Sequence, residues 1–236
     1  MFGLHRRQPS DNQLTLNLSQ LDKTARATVG SKAALLGELM KVGVAVPPGF
    51  VITTDAYRQL INGHQLGEAI AARLRGLRAD DGRTIQTRAI EIERLIANQS
   101  PSPRLLTAIR TAYADLAQPA GQTLVAIRSS VVVPGDQSDR ATAHSATLLN
   151  VDGAEAVLAG VRHAWSALLA PTALVDWLKR GIDPTTVGLA VIVQRMVAAD
   201  RAGVLYTDDP ANTDRSTMVI EAAYGLGAVV TGGLIT

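Results

Sequence analysis

The chain has 236 residues, with 23 Lys and Arg against 21 Asp and Glu, no Cys and few aromatic residues. That length can bury the core of one large domain or two small ones. The absence of Cys excludes a disulfide scaffold, a thiolate metal site and a cysteine nucleophile. A net charge of +2 does not indicate a nucleic-acid or membrane partner, no apolar run is long enough to span a membrane, and the N-terminus lacks the pattern of a secretory signal. We therefore expect a soluble, cytoplasmic protein that binds neither nucleic acid nor a membrane.

The first half of the sequence predicts helices after a loose arm over residues 1–17 that includes a short strand. Apolar residues recur at helical spacing after Ser31, which can cap the helix, and Pro47-Pro48 ends that unit because proline cannot continue a helix. In chain order, the predicted elements are a helix over 31–42, a strand over 50–52, and helices over 54–60, 66–77, 84–97 and 105–116. The exposed faces of the last helices mix Arg with Glu, as solvated amphipathic helices do, and this mixture argues against nucleic-acid binding.

The second half of the sequence predicts strands as well as helices. Residues 123–127 read as a short apolar strand that ends at Arg128 and is followed by Ser129, Ser130 and a loop of small residues over 131–145. Further along, the pattern predicts helices over 154–169 and from Pro171 onward, a buried strand over 187–197, and strands over 203–207 and 218–221. Because helices and strands mix along the chain, the predicted fold class is α/β or α+β.

Three short stretches contain residues suited to binding a phosphate or a base. Gly30-Ser31-Lys32 places an ammonium at the start of a helix, where backbone N–H groups and the helix dipole favour an anion; a solvent-facing lysine is the alternative. Arg128 offers a rigid fork of donors for phosphate oxygens, and a structural ion pair is the alternative. Gln194-Arg195-Met196-Val197 ends a strand and can present backbone groups to an adenine edge, with Met196 on the face of the base; otherwise it is a core strand leaving its sheet.

His144 is the histidine of most interest, because it lies in the loop that follows Arg128. The histidines do not stand at metal-ligand spacing from one another, and no Ser-His-Asp arrangement is legible. The sequence therefore leaves any metal site unknown.

The order and spacing of these stretches resemble a known family. Val29-Gly30-Ser31-Lys32-Ala33-Ala34-Leu35, followed by Val46-Pro47-Pro48-Gly49-Phe50 and Thr53-Thr54-Asp55-Ala56-Tyr57, is similar to the opening of phosphoenolpyruvate synthase, pyruvate phosphate dikinase and rifampin phosphotransferase. The likeness resumes in the stretches 125–130, 147–151, 191–197, 202–207 and 220–227. It covers most of residues 28–60 and 122–236.

This resemblance implies an ATP-grasp-like domain that binds Mg-ATP between two lobes and passes a phosphoryl group to a histidine on a separate carrier domain. By motif, Lys32 and Arg128 would hold the ATP phosphates and take part in catalysis, with Ser129 and His144 beside them. The residues implied on the adenine side and in the second lobe are Gln194, Met196, Val197 and Glu221. Lys, Arg and Mg²⁺ suit phosphoryl transfer, because that reaction depends mainly on positioning and on charge neutralisation.

Several positions depart from the family pattern. Pro134-Gly135 replaces a Glu-Asp pair, Ala143 replaces a loop glycine that lets the backbone approach phosphates, His144 replaces Gln and Ala228 replaces Glu. The family's later metal-binding Glu, its Gln-x-Arg and its carrier motif Gly-Gly-x-Thr-Ser-His are also absent from this sequence. Two hypotheses therefore stay open: the ATP-binding part of a phosphoenolpyruvate-synthase-like phosphotransferase that works with a carrier histidine on another domain or chain, or a degenerate, non-catalytic nucleotide-binding or regulatory module.

We expect a first lobe over residues 1–197 and the start of a second lobe over 198–236, incomplete relative to the family. An incomplete lobe would leave apolar surface, such as Val229, Val230 and Leu234, without its usual cover. This surface is the predicted place for homo-oligomerisation or for docking of a partner.

Overall fold

The computed structural model describes residues 13–135, 146–209 and 217–232. The chain divides into two compact units, Met1–Met196 and Val197–Thr236. Helices and strands are mixed along the chain, which confirms the predicted fold class at that level, and the strands pair in antiparallel fashion. Within the described ranges, no helix is both long enough and apolar enough to cross a membrane.

A five-stranded antiparallel sheet forms the centre of the first unit. Its strands are β1 (Thr15–Asn17), β2 (Gly49–Ile52), β3 (Leu124–Val132), β4 (Thr147–Asp152) and β5 (Gly188–Arg195), in the spatial order β1-β2-β5-β3-β4. The middle strand, β5, is buried from Gly188 to Gln194, which accounts for its nearly continuous run of apolar residues. Because successive side chains of a strand point to opposite faces, each strand contributes side chains to the packing on both faces of the sheet.

Helices cover both faces of this sheet. They are α1 (Arg26–Lys41), α2 (Thr54–Asn62), α3 (Leu66–Leu74), α4 (Gly82–Ala97), α5 (Pro103–Ala117), α6 (Ala154–Ala167) and α7 (Pro171–Lys179). The larger core, which includes the fully buried Trp165 and Trp177, lies between the sheet and helices α2 to α7. On the opposite face, Val29 of α1 packs in a smaller core with Ala190 and Ile192 of β5.

Capping residues and apolar stripes set the helix boundaries. The Asp81 side chain accepts a hydrogen bond from Thr84 N–H at 3.1 Å before α4, and Ser102 accepts one from Leu105 N–H at 3.2 Å before α5, as N-cap residues do. Pro103 occupies the first turn of α5, where its missing N–H costs nothing. The helix predicted over 84–97 is present as α4, and its apolar stripe is buried; the stripe consists of Ile85, Ala89, Ile92 and Ile96.

The second unit contains the antiparallel pair β6 (Arg201–Tyr206) and β7 (Val219–Tyr224), followed by the short helix α8 (Ala228–Thr231). One side of this pair is open to solvent: Leu205, Ile220 and Tyr224 are 54%, 67% and 79% exposed, and the Arg201 guanidinium lies 5.3 Å from the centre of the Tyr224 ring. Val230 of α8, in contrast, is only 8% exposed. The exposed apolar surface therefore lies on the strands, and the prediction that Val230 is uncovered is wrong.

Most predicted elements are present with boundaries shifted by a few residues, but some differ in kind. Strand β3 continues beyond Arg128 to Val132, so the predicted loop begins later than expected. Strand β4 was not predicted as an element, because it is an edge strand whose residues are at most half-buried and its sequence has no continuous apolar run. Helix α8 was not predicted either, since glycines surround it. Ala143 and Leu234 lie outside the described residues.

Candidate functional site

Lys32 lies just after a break in helix α1. Gly30 has φ 76° and ψ 167°, backbone angles that only glycine adopts readily, and helical geometry resumes at Ser31. The first N–H groups of a helix have no partner within it, and the helix dipole makes that end attractive to an anion. Lys32 therefore adds a positive charge to a backbone segment that is already suited to a phosphate.

Arg128 lies on β3 and faces the α1 layer. It is paired with Ile192 of β5, while Ser130 is paired with Ala190, and both β5 residues belong to the core beneath α1. Because alternate residues share one face of a strand, Arg128 and Ser130 point toward α1. Ser129 points to the opposite face, where its hydroxyl lies 3.4 Å from a backbone carbonyl oxygen.

The structure brings the ammonium of Lys32 near the guanidinium of Arg128. Burial lowers the pKa of Lys32, and the positive charge of Arg128 lowers it further. Both side chains are half-buried. Like charges held together in this way favour a ligand of opposite charge, and phosphate oxygens can accept hydrogen bonds from a guanidinium and an ammonium at once.

The close approach of α1 to β3 depends on Gly30. A Cβ atom at this position would overlap Ser130 Oγ and would lie only 3.0 Å from the backbone carbonyl carbon and oxygen of Ser130. Ser130 is fully buried, and its hydroxyl has no hydrogen-bond partner in the part of the chain that the structure describes. The contact lies two residues before Lys32 on the helix and two residues after Arg128 on the strand.

Gln194 is on the same face of the sheet as Arg128. It is 7% exposed, and its side-chain Nε2 donates a hydrogen bond to Pro47 O at 3.0 Å. The neighbouring Arg195 projects to the other face, where its guanidinium donates to Leu116 O at the end of α5. Gln194 therefore ties the Val-Pro-Pro-Gly stretch to the end of β5.

The other residues predicted for the site are Met196, Val197, Glu221 and His144. Met196, at the end of the first unit, donates its N–H to Leu124 O at 2.9 Å. Val197 and Glu221 belong to the second unit, and both are exposed. His144 lies outside the described residues. The structure thus places Lys32 and Arg128 on the same face of the sheet, and the roles assigned to these two and to the other residues stay predictions.

The sequence analysis named Gly30 beside Lys32 and Ser130 after Arg128, but it did not predict that these two residues touch. A signal for Ser130 was present: if β3 is extended through the Arg-Ser-Ser stretch, alternation puts the second serine, and not Ser129, on the face of Arg128. The contact between Gly30 and Ser130 had no such signal, because the two residues belong to elements that meet only in the folded chain.

Acidic residues do not form a metal site in the ranges that the structure describes. No group of three or more His, Asp or Glu side chains there could hold a metal ion. Magnesium in nucleotide sites is commonly held by the nucleotide phosphates, water and one or two carboxylates. Lys32 and Arg128 suit the phosphates of such a nucleotide, and a Mg²⁺ held by phosphates and water does not require a group of three acidic side chains.

Comparison with known proteins identifies the family. A sequence model of the family described as "Pyruvate phosphate dikinase, AMP/ATP-binding domain" matches residues 26–236. The chain belongs to this family. A rifampicin phosphotransferase of Streptomyces sviceus is 34% identical over 221 residues, and a probable phosphoenolpyruvate synthase of Methanocaldococcus jannaschii is 35% identical over 221 residues; each match covers 93% of this chain. The phosphoenolpyruvate synthase of Aeropyrum pernix is 34% identical over 229 residues, or 96% of this chain.

The chain spans only part of these relatives. It covers 25% of the Streptomyces protein, 19% of the Methanocaldococcus protein and 28% of the Aeropyrum protein. The family match therefore concerns the AMP/ATP-binding domain, and the residues that the structure brings together, Lys32 and Arg128, lie inside the matched range.

Proposed function

We propose that this chain binds ATP through Lys32 and Arg128 and serves as the nucleotide-binding part of a phosphoenolpyruvate-synthase-like phosphotransferase. The observation that carries the proposal is the close packing of α1 on β3 at Gly30 and Ser130, two residues from Lys32 and two residues from Arg128, in a chain whose family is that of an AMP/ATP-binding domain. We also propose that the two units are the lobes of an ATP-grasp-like fold, and that Ser129, His144, Gln194, Met196, Val197 and Glu221 contribute to the nucleotide site.

The chemistry of the patch supports phosphate binding more directly than base binding. Arg128 supplies a planar fork of donors, Lys32 supplies a point charge, and the N–H groups after Gly30 supply backbone donors. Phosphoryl transfer needs charge neutralisation and alignment more than covalent help from the protein. Mg²⁺ would enter with the nucleotide, held by its phosphates and by water, and the acceptor would be a histidine on a carrier domain or chain.

Titration of this chain with Mg-ATP tests the proposal. We expect measurable heat or fluorescence change for the wild type, and a loss of roughly ten- to a hundredfold in affinity for Lys32→Ala and for Arg128→Ala, because each removes a charged hydrogen-bond donor worth about 1.5–3 kcal/mol. Lys179→Ala is the matched control: it removes one exposed positive charge from α7, on the other face of the sheet. Equal Mg-ATP affinity of the wild type and the three variants would contradict the assignment of Lys32 and Arg128 to phosphate binding.

A second candidate function rests on the loop after β3. An exposed turn follows this strand and contains Pro134 and Gly135. The family pattern has a Glu-Asp pair at these two positions. That replacement favours a module that binds nucleotide without transferring a phosphoryl group. Incubation with ATP labelled with ³²P in both its β- and γ-phosphates, and with a separate protein that carries the Gly-Gly-x-Thr-Ser-His motif, separates the two functions. Acid-labile label on the carrier supports the phosphotransferase, and tight binding without label supports the regulatory module.

A further inference from the structure

We infer that the contact between Gly30 and Ser130 is a positioning element that sets the spacing between Lys32 and Arg128. The inference rests on the proposed function, since that spacing matters for a ligand that takes both cations. It assigns a role to two residues that carry no charge.

The first step of the argument is the break in α1. Gly30 stands at φ 76° and ψ 167°, a region of backbone space that is almost restricted to glycine and that costs free energy for any other residue. A helix that ran through this position without a break would keep residues 26–41 on one regular path. The break lets the segment from Ser31 onward begin as a new helix end, with Lys32 in its first turn.

The second step is the absence of a side chain at the break. The Cα of Gly30 lies directly against Ser130, so that an added Cβ would overlap Oγ and would crowd the backbone of the strand at 3.0 Å. Backbone atoms cannot rotate away as a long side chain can. To restore ordinary contacts of about 3.5 Å, α1 and β3 would have to separate by roughly an ångström.

The third step is the position of this contact relative to the charges. Ser130 and Arg128 share one face of β3, and Gly30 and Lys32 lie within one turn of each other on α1. A separation of helix and strand at the contact is therefore transmitted to the two cations. Misplacement of binding groups by about an ångström can cost a hundredfold in an activity that requires both.

The test compares two substitutions that both strain the backbone, of which only one also makes the added Cβ clash with a neighbouring residue. Gly30→Ala introduces both effects. Gly153→Ala is the matched control, because Gly153 also precedes a helix with φ 83° and ψ 153°, whereas nothing lies within 4 Å of the position of its added Cβ. We expect Gly30→Ala to weaken Mg-ATP binding by about tenfold or more, and Gly153→Ala to leave it within about twofold once both proteins are shown to be folded by circular dichroism.

Two further variants keep the test informative if Gly30→Ala is poorly folded. Ser130→Ala removes the buried hydroxyl, which has no partner in the described residues, and serves as the reference for the double variant. The double variant Gly30→Ala/Ser130→Ala removes the nearest clashing atom, so it should recover part of the lost affinity. A double variant no better than Gly30→Ala would contradict a role for this contact.

A readout without nucleotide separates this inference from the proposed function. Nuclear magnetic resonance of the side-chain amines can follow the pKa of Lys32 directly, because the chain has only four lysines. We expect the lowered pKa of Lys32 to move back toward its ordinary value in Gly30→Ala and to stay lowered in Gly153→Ala, even if the wild type binds no ATP. An unchanged pKa of Lys32 in a folded Gly30→Ala protein, or the same pKa change in both glycine variants, would overturn the positioning role.

Discussion

At the scale of single residues, the pairing of Lys32 with Arg128 is the feature that gives this chain a chemical character. The two residues come from a helix and a strand that are far apart in sequence, and burial together with the neighbouring guanidinium lowers the pKa of the lysine. A lysine with a lowered pKa is easier to deprotonate than a lysine in water. The positive charge of Lys32, and with it the affinity for phosphate, should therefore be lost at a lower pH than for an ordinary lysine.

We predict that Mg-ATP affinity falls as the pH rises through the interval between the lowered pKa of Lys32 and the ordinary lysine value of 10.5. The folded protein loses this proton before the unfolded chain does, so the unfolded state binds more protons in that interval and the free energy of unfolding of the nucleotide-free protein should rise with pH there. Titrations at several pH values measure the first effect, and urea unfolding at the same pH values measures the second.

Lys32→Arg is the control for this pH dependence. Arginine keeps its charge throughout the interval, so the affinity of this variant should vary less with pH even if its absolute affinity differs. The same pH profile in Lys32→Arg and in the wild type would show that another group titrates.

At the scale of elements, Tyr113 connects three parts of the first unit. Its hydroxyl donates a hydrogen bond to Thr123 O at 2.8 Å, at the start of β3, and accepts one from Gly153 N–H at 2.9 Å, at the start of α6. Helix α5 is thereby tied to the start of β3 and to the end of β4, which lie side by side at one end of this antiparallel pair. This link helps to fix the strand that carries Arg128.

We predict that Tyr113→Phe lowers the free energy of unfolding by about 1–3 kcal/mol, because a backbone donor and a backbone acceptor each lose their partner. Urea denaturation followed by circular dichroism measures the change. Tyr206→Phe, on a partly exposed tyrosine of β6, should change the stability by less than about 0.5 kcal/mol. A similar loss for both variants would contradict the structural role of the Tyr113 hydroxyl.

The elements and contacts also differ in how well the sequence alone predicts them. The apolar stripe of α4 and the apolar run of β5 predicted these elements, because burial on one face or on both faces leaves a direct pattern in the sequence. The edge strand β4 left no such pattern. The meeting of Lys32 with Arg128 could be expected only from family resemblance, since the antiparallel order β1-β2-β5-β3-β4 joins residues that no local period connects. The contact between Gly30 and Ser130 required the packed structure, because it depends on the distance between two backbones.

At the scale of the whole chain, the two units differ in how much core each one has. The first unit combines a five-stranded sheet with helical layers on both faces. In its described residues, the second unit has one antiparallel pair and a short helix, and the face that carries Leu205, Ile220 and Tyr224 is open. An isolated pair of strands is marginally stable in water. This face is therefore our candidate place for a second copy of the chain or for a partner domain.

We predict that the backbone amides of β6 and β7 exchange hydrogen with solvent far faster than those of β5. Strand β4 is the internal control, because it is also an exposed strand but belongs to the five-stranded sheet. If the size of the cooperative unit decides protection from exchange, β4 should be better protected than β6 and β7.

If a second copy covers the open face, protection of β6 and β7 should rise with protein concentration. Ile220→Lys should abolish that rise, whereas Ala228→Lys, which adds the same charge at an exposed position of α8, should not. Protection in β6 and β7 equal to that of β5 at every concentration would mean that the second unit is stable without any cover, and the open face would then have no part in assembly.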